Sequence, residues 1–150
     1  MTVMRLTKVV HVVNLWPFFV DGFTFVGHYL KYTLPIEVYG RILRSMVKNP
    51  TCWVGVAFDD DKNPISFACA HESTPMFSPQ REFEVSMLFH RPGRIDAALA
   101  LQKEFEQWVV AEEGVRYYVT TRRDNPSALR CFQSDRYGLK RAYTVFKKEL

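Results

Sequence analysis

Between Arg81 and Val110 the hydrophobic period of the chain changes once, and that change leaves few folds open. From Arg81 to Phe89 (Arg-Glu-Phe-Glu-Val-Ser-Met-Leu-Phe) apolar side chains alternate with polar or mixed ones, as in a strand with one buried face. From Ile95 to Val110 the residues Ile95, Leu99, Phe105, Trp108 and Val109 recur at three-and-four spacing, the pattern of a helix with one apolar stripe. Only His90-Arg91-Pro92-Gly93-Arg94 separates the two patterns. Pro92 has no N–H for a ladder and ends the strand. Gly93 allows a sharp turn into the helix. A strand that turns this tightly into a helix aims several main-chain N–H groups at one point, with the helix dipole behind them. Arg91 and Arg94 flank that point. The joint is a candidate cradle for phosphate or pyrophosphate. Asp96, in the first helical turn, can also fill it with its own carboxylate.

The rest of the chain must supply neighbours for that strand and helix. A length of 150 residues suits a single domain with a substantial core. No apolar run approaches a membrane span, and no secretory signal opens the chain, so an intracellular, cytoplasmic protein is expected. Cys52, Cys69 and Cys131 lack metal-ligand spacing and read as reduced thiols. The four histidines are scattered, and no metal site is expected. The net charge of +4 gathers toward the C-terminus, from Arg116 to Lys148. Such a bias suits an anionic ligand or a solvated face. No nucleic-acid motif accompanies it, so no nucleic-acid partner is expected.

In chain order, Thr2 to Thr7 reads as a short strand. Val9 to Tyr32 is apolar and rich in aromatics, broken by Pro17 and Gly22 into one or two helices. Its aromatics look exposed and suggest a protein partner. Pro35 starts a helix from Ile36 to Val47, with Ile36, Tyr39, Leu43 and Met46 or Val47 on one side. Cys52–Phe58 and Ile65–His71 form a hairpin about Asp59–Pro64. Ser73 to Gln80 is a loop. After the central strand and helix, Gly114 stops the helix and Val115–Thr120 is a strand. Asp124-Asn125-Pro126 opens a short helix. A closing strand runs from Tyr137 to Lys147. The fold class is therefore mixed α/β: one domain whose central sheet is antiparallel at first and parallel after the central strand, with helices on both faces.

That order, with the residues at its joints, resembles the GNAT superfamily of acyl-CoA-dependent N-acyltransferases over nearly the whole chain. Asn125-Pro-Ser-Ala128-Leu-Arg-Cys-Phe132 is similar to the family's Asn-x-x-Ala helix, and the strands on either side of it match as well. His90-Arg-Pro-Gly93-Arg-Ile95 keeps the central Gly of the family's pyrophosphate loop, with His where Gln or Arg is usual and Ile where a small residue is usual. The resemblance implies acetyl-CoA or another acyl-CoA as cofactor and an amine as acceptor. It implies cofactor contacts at Phe89, Arg91, Gly93, Arg94, Ile95, Asp96, Asn125 and Phe132. An oxyanion donor is expected among the main-chain N–H groups near Phe89, given the bulge usual in the family's central strand.

Acyl transfer to an amine needs a base for the ammonium proton, a donor for the developing oxyanion and an acid for the departing thiolate. Glu84 and Ser86 share one face of the central strand, so Glu84 is the first candidate base and His90 the second. The family's acid is commonly a Tyr on the last helix; the matching position here holds Phe132, which has no proton to give. Two readings follow. The first is an acyl-CoA-dependent N-acetyltransferase. The second is a GNAT fold kept as a non-catalytic structural or adaptor subunit of a larger assembly, for example a virus particle.

Overall fold

A computed structural model of the protein describes residues 1–27, 34–119 and 135–140. The chain divides into two compact units, residues 1–120 and 121–150. The first unit is a five-stranded sheet with helices on both faces. Its strands are β1 (Thr2–Arg5), β2 (Cys52–Phe58), β3 (Pro64–Glu72), β4 (Arg81–His90) and β5 (Gly114–Val119). Its helices are α1 (Val9–Asn14), α2 (Trp16–Gly27), α3 (Ile36–Lys48) and α4 (Ile95–Ala111). Strand order follows the chain, β1-β2-β3-β4-β5. The first three pairings are antiparallel, and β4 pairs with β5 in parallel, with α4 as the connection. A parallel pair needs such a crossover, because a tight turn can join only antiparallel neighbours.

The helices α1 to α3 cover one face of the sheet. Val12, Phe18, Phe19, Phe23, Leu43 and Val47 pack there on Val54, Val56, Phe67, Cys69 and Phe89. The Phe67 ring is fully buried, with Phe18, Phe19 and Phe23 edge-on at centroid distances of 5.7, 5.0 and 5.6 Å. The aromatic segment that looked exposed in sequence is thus largely the core: its apolar residues lie on nearly all sides of a short helix that the sheet must bury. Among its described aromatic residues Phe25 is the most open, at 44% exposure. The α3 stripe is as expected, with Leu43 and Val47 buried and Ile36, Tyr39 and Met46 packed beside them.

The other face belongs to α4. Its buried residues are Ala97, Ala98, Leu101, Phe105, Trp108 and Val109, so the stripe begins on small alanines rather than on Ile95 and Leu99, which are half-buried. Side chains that short let the start of the helix lie close to Ala68, Ala70 and Ile65. The strand β2 is buried on both faces and reads as a continuous apolar run for that reason. At the far end of β4, Arg81 bonds the Glu72 carboxylate at 2.9 and 3.1 Å and the Glu112 carbonyl at 2.6 Å, tying β3, β4 and the end of α4 together.

In the second unit, Asp135–Tyr137 is a 3-10 turn, closed by the Gly138 N–H donating to Asp135 O at 3.2 Å. Tyr137 therefore sits in a turn and not in a strand. Gly138 at φ +61 reverses the chain where an extended start was expected. The helix expected after Asp124 and the remainder of the closing strand lie outside the described residues.

Candidate functional site

The site is built on an irregularity of β4. Its register with β3 passes from Cys69↔Met87 to Ala70↔Val85, which leaves Ser86 unmatched as a β-bulge. The bulge resets the alternation of side chains. Phe83, Val85 and Leu88 face α4, whereas Met87 and Phe89 face the opposite helices. Ser86 is exposed, and its hydroxyl donates to Cys69 O at 3.1 Å.

The described pairing with β5 reaches the same place. It runs from Arg81↔Gly114 to Val85↔Val119, and among the described residues nothing pairs with Ser86 to His90 on that side. The Arg91 N–H donates to Ile65 O at 2.9 Å. An antiparallel ladder alternates by two, so the main-chain groups of Phe89 and Met87 also turn to β3 and those of Leu88 and His90 turn the other way. Leu88 and His90 therefore turn their N–H and C=O groups away from β3, beyond the last described pair of β4 with β5.

The joint follows directly. Arg94 N–H donates to Arg91 O at 3.0 Å, and Ala97 N–H to Arg94 O at 3.1 Å, closing a turn onto the first turn of α4. Gly93 has φ +76, and a Cβ there would meet nothing within 4 Å, so the space beside its backbone is open. Arg94 forms a two-pronged bond to Asp96, Nε–Oδ1 3.0 Å and Nη2–Oδ2 3.0 Å. The Arg94 guanidinium, and then the Ala97 and Asp96 N–H groups, hold the Asp96 carboxyl below its ordinary range. The same pair holds the Arg94 guanidinium above its own. Asp96 thus acts as an internal anion at the start of α4. Arg91 is directed elsewhere, toward the far face. Its guanidinium lies 3.7 Å from Asp21 and 5.4 Å from the centre of the Phe18 ring.

On the face covered by α1 to α3, a row of polar residues crosses the sheet beside the bulge. The register pairs Cys52↔His71, His71↔Glu84 and Glu84↔Tyr118 on four successive strands. Neighbours in such a row stand about 5 Å apart. His71, Glu84 and Tyr118 are each half-buried. The next row holds Glu82 and Arg116, with Arg116 Nε 3.4 Å from Glu82 Oε1. Burial pushes the Cys52 thiol up, and pushes Cys69 up to about 12, so neither is poised as a thiolate.

Glu84 lies on the α1–α3 side of β4, while His90, in register with Leu88, lies on the α4 side. Some six residues of strand, roughly 20 Å, separate them, so these two candidate bases do not converge on one substrate. Phe89 is a core residue, its ring against Phe18, Phe25 and Phe67 and its carbonyl accepting from Ser66 Oγ at 2.6 Å. Ile95 is half-buried at the start of α4. Asn125 and Phe132 lie outside the described residues. His71 and Tyr118 were not singled out from the sequence: their place beside Glu84 depends on strand register. Among the described residues no group of three or more His, Cys, Asp or Glu could hold a metal ion. None of the described helices is long and apolar enough to cross a membrane.

No family model matches the chain. No curated protein matches it in sequence. Solved structures match it over essentially their whole length. A probable acetyltransferase aligns with a TM-score of 0.75 at 20% identity, covering 100% of both chains. The aminoglycoside 6'-N-acetyltransferase of Acinetobacter baumannii aligns at 0.72 and 14%, covering 99% of this chain and 98% of that one. A ribosomal-protein-alanine N-acetyltransferase of Brucella melitensis aligns at 0.69 and 10%, covering 100% of both. The fold is that of the GNAT acetyltransferases.

Proposed function

We propose that the chain is an acyl-CoA-dependent N-acyltransferase that moves an acetyl group to a primary amine. The observation that carries this reading is the bulged end of β4. Beyond the bulge the Leu88 and His90 main-chain groups turn away from β3, a few residues before the start of α4. An extended, amide-bearing arm with a phosphate at its end matches that sequence of features, the arm pairing as an added strand would and the phosphate meeting the helix start.

Acetyl-CoA is the cofactor this reading requires, and the residues fit its parts unequally. Leu88 and His90 would hold the pantetheine arm through their main chains. Gly93, Arg94, Ile95 and Asp96 would hold the pyrophosphate through N–H groups, once Asp96 and Arg94 yield the place they occupy. The bound cofactor supplies an activated acyl thioester. Glu84 takes the ammonium proton of the amine, directly or through a water. The Leu88 N–H donates to a carbonyl oxygen brought to the edge. Tyr118, in register with Glu84, offers a phenol as proton donor, a role that Phe132 cannot fill. His90 contributes through its main chain, because its side chain is on the other face.

A second reading, a GNAT fold serving as a non-catalytic module, draws support from the Arg94–Asp96 pair seated where a pyrophosphate would go. Calorimetric titration of acetyl-CoA and free CoA into the protein at low salt separates the two. Saturable binding of both supports the enzyme. No heat at millimolar ligand removes it and leaves the module.

A further inference from the structure

We infer that the loop between β3 and β4 docks a second copy of this chain, its tip entering a hollow beside α1 of the other copy. Residues 73–80 carry no charge, and Met76 and Phe77 are 89% and 95% exposed. Adjacent on a projecting loop, they form one apolar patch, the kind of surface that marks an interaction site. They are also held in place. Ser78 N–H donates to Pro75 O at 2.9 Å, closing a turn with Met76 and Phe77 at its centre. Ser78 Oγ donates to the Gln80 carbonyl and accepts from the Gln80 N–H. Ser73 N–H donates to Glu82 O, and Glu82 N–H to Thr74 Oγ1. Pro75 and Pro79 fix φ on either side of the tip. A tip ordered before it docks loses little further freedom on docking.

The chain also carries a receiving surface of matching size and chemistry. Val12, Val13, Trp16 and Arg44 line a hollow of about 160 Å³. An apolar cavity of about 150 Å³ holds one benzene ring, so this hollow takes one phenyl group. Val13 is 58% exposed at its mouth, and Val10, one turn earlier on α1, is 53% exposed. Among the described residues no carboxylate pairs with Arg44, whose guanidinium is left to lie against the face of an entering ring. The rims are complementary in charge. Among the described residues, Glu72, Glu82, Glu112 and Glu113 outnumber Arg81 and Arg116 at the base of the loop. On α3, Arg41 and Lys48 stand one turn to either side of Arg44 and outnumber Glu37.

A two-fold pair makes both contacts at once, each tip in the hollow of the other copy, and closes the assembly. A buried Phe covers about 200 Å². Two such rings and the walls that receive them bury about 800 Å², and the two Met76 side chains carry the total past the roughly 1,000 Å² at which specific interfaces begin.

Sedimentation equilibrium of the whole chain tests the pair. Passage from one copy to two is expected by about 100 μM. Phe77→Ser and Val13→Glu alter exposed side chains, and circular dichroism confirms that the fold is kept. Each should weaken the pair about tenfold or more. A mixture of the two variants retains one intact tip and one intact hollow, and should associate more tightly than either variant alone. The Trp16 indole N–H signal, assigned with Trp16→Phe, should move with concentration in the unmutated protein and stay still in Phe77→Ser. A single copy at the highest concentration overturns the inference; if that protein floats with phosphatidylcholine vesicles, the tip belongs to a membrane instead. A pair that Phe77→Ser leaves as tight overturns it too. A pair that Val13→Glu leaves as tight, with a stationary Trp16 signal, removes the hollow as receiver. Growth beyond two copies overturns the two-fold arrangement.

Discussion

Gly22 offers the sharpest test of how the helical layer is seated on the sheet. A Cβ at this position of α2 would stand 2.3 Å from Phe67 Cε1, 2.9 Å from Phe67 Cζ and 3.1 Å from Phe89 Cδ1. Ordinary carbon contacts begin near 3.5 Å. The Phe67 ring would therefore have to retreat by roughly 1 Å or α2 would have to lift. Neither move is easy, because Phe18, Phe19, Phe23 and Phe89 surround that ring, with centroids between 5.0 and 5.7 Å away. Overpacking of this kind costs about 1–3 kcal/mol, and the enclosure puts Gly22→Ala near the top of that range. Alanine returns about 1 kcal/mol through helix propensity. The net expectation is a loss of about 2 kcal/mol. With a urea slope of about 2 kcal/mol/M, the unfolding midpoint should fall by about 1 M. An unchanged or higher midpoint refutes the reasoning, since it would mean that α2 rides on the sheet with room to spare. Gly93→Ala is the matched control: it meets no atom and should lose only about 1 kcal/mol, for its left-handed φ of +76.

Glu84→Gln should lower acetyl transfer on the order of a hundredfold or more near neutral pH, with acetyl-CoA binding unaltered by calorimetry; an unaltered rate clears Glu84 of the role of base. Asp96→Ala removes the internal anion and releases Arg94, so CoA should bind several-fold more tightly and with a steeper salt dependence. Weaker or equal binding by calorimetry would show that the pyrophosphate does not use this place. Glu72 is held below its ordinary range first by its bonds to Arg81. A depressed carboxyl contributes stability that is complete above the ordinary value of about 4.3 and is lost as pH falls through the lowered one. Urea midpoints measured across that acid range should fall less steeply in Arg81→Met than in the unmutated protein, and equal slopes would dismiss the pair as an acid-sensitive tie.

Much of the fold was legible because its signals are local. The change of period between Phe89 and Ile95 located the central strand and helix to within a residue or so at each end. The turn cluster from Asp59 to Pro64 announced the hairpin, and Pro35 marked the start of α3. The two periods, 2 for a half-buried strand and 3.6 for a helix, are properties of neighbouring residues, and the order of elements then restricts the sheet to antiparallel before β4 and parallel after it. The sequence also carried the conflict at the joint, since Asp96 stands in the first turn of α4 whatever surrounds it.

What the chain could not declare by itself was anything set by one strand against another. Ser86 looks like any strand residue until β3 is laid beside it and the register slips. That slip separates Glu84 from His90 by face and turns the Leu88 and His90 main-chain groups away from β3, and the same registers leave His71 and Tyr118 on either side of Glu84. Arg91 likewise looks like a flank of the cradle in sequence, yet in three dimensions it is drawn away by Asp21 and the Phe18 ring on α2. The aromatics of α2 read as exposed because their partners, Phe67 and Phe89, come from strands far along the chain. The physical reason is common to all of these. Periodicity is written by adjacent residues, whereas register, bulges and the direction of long side chains are settled by the packing of distant segments against one another.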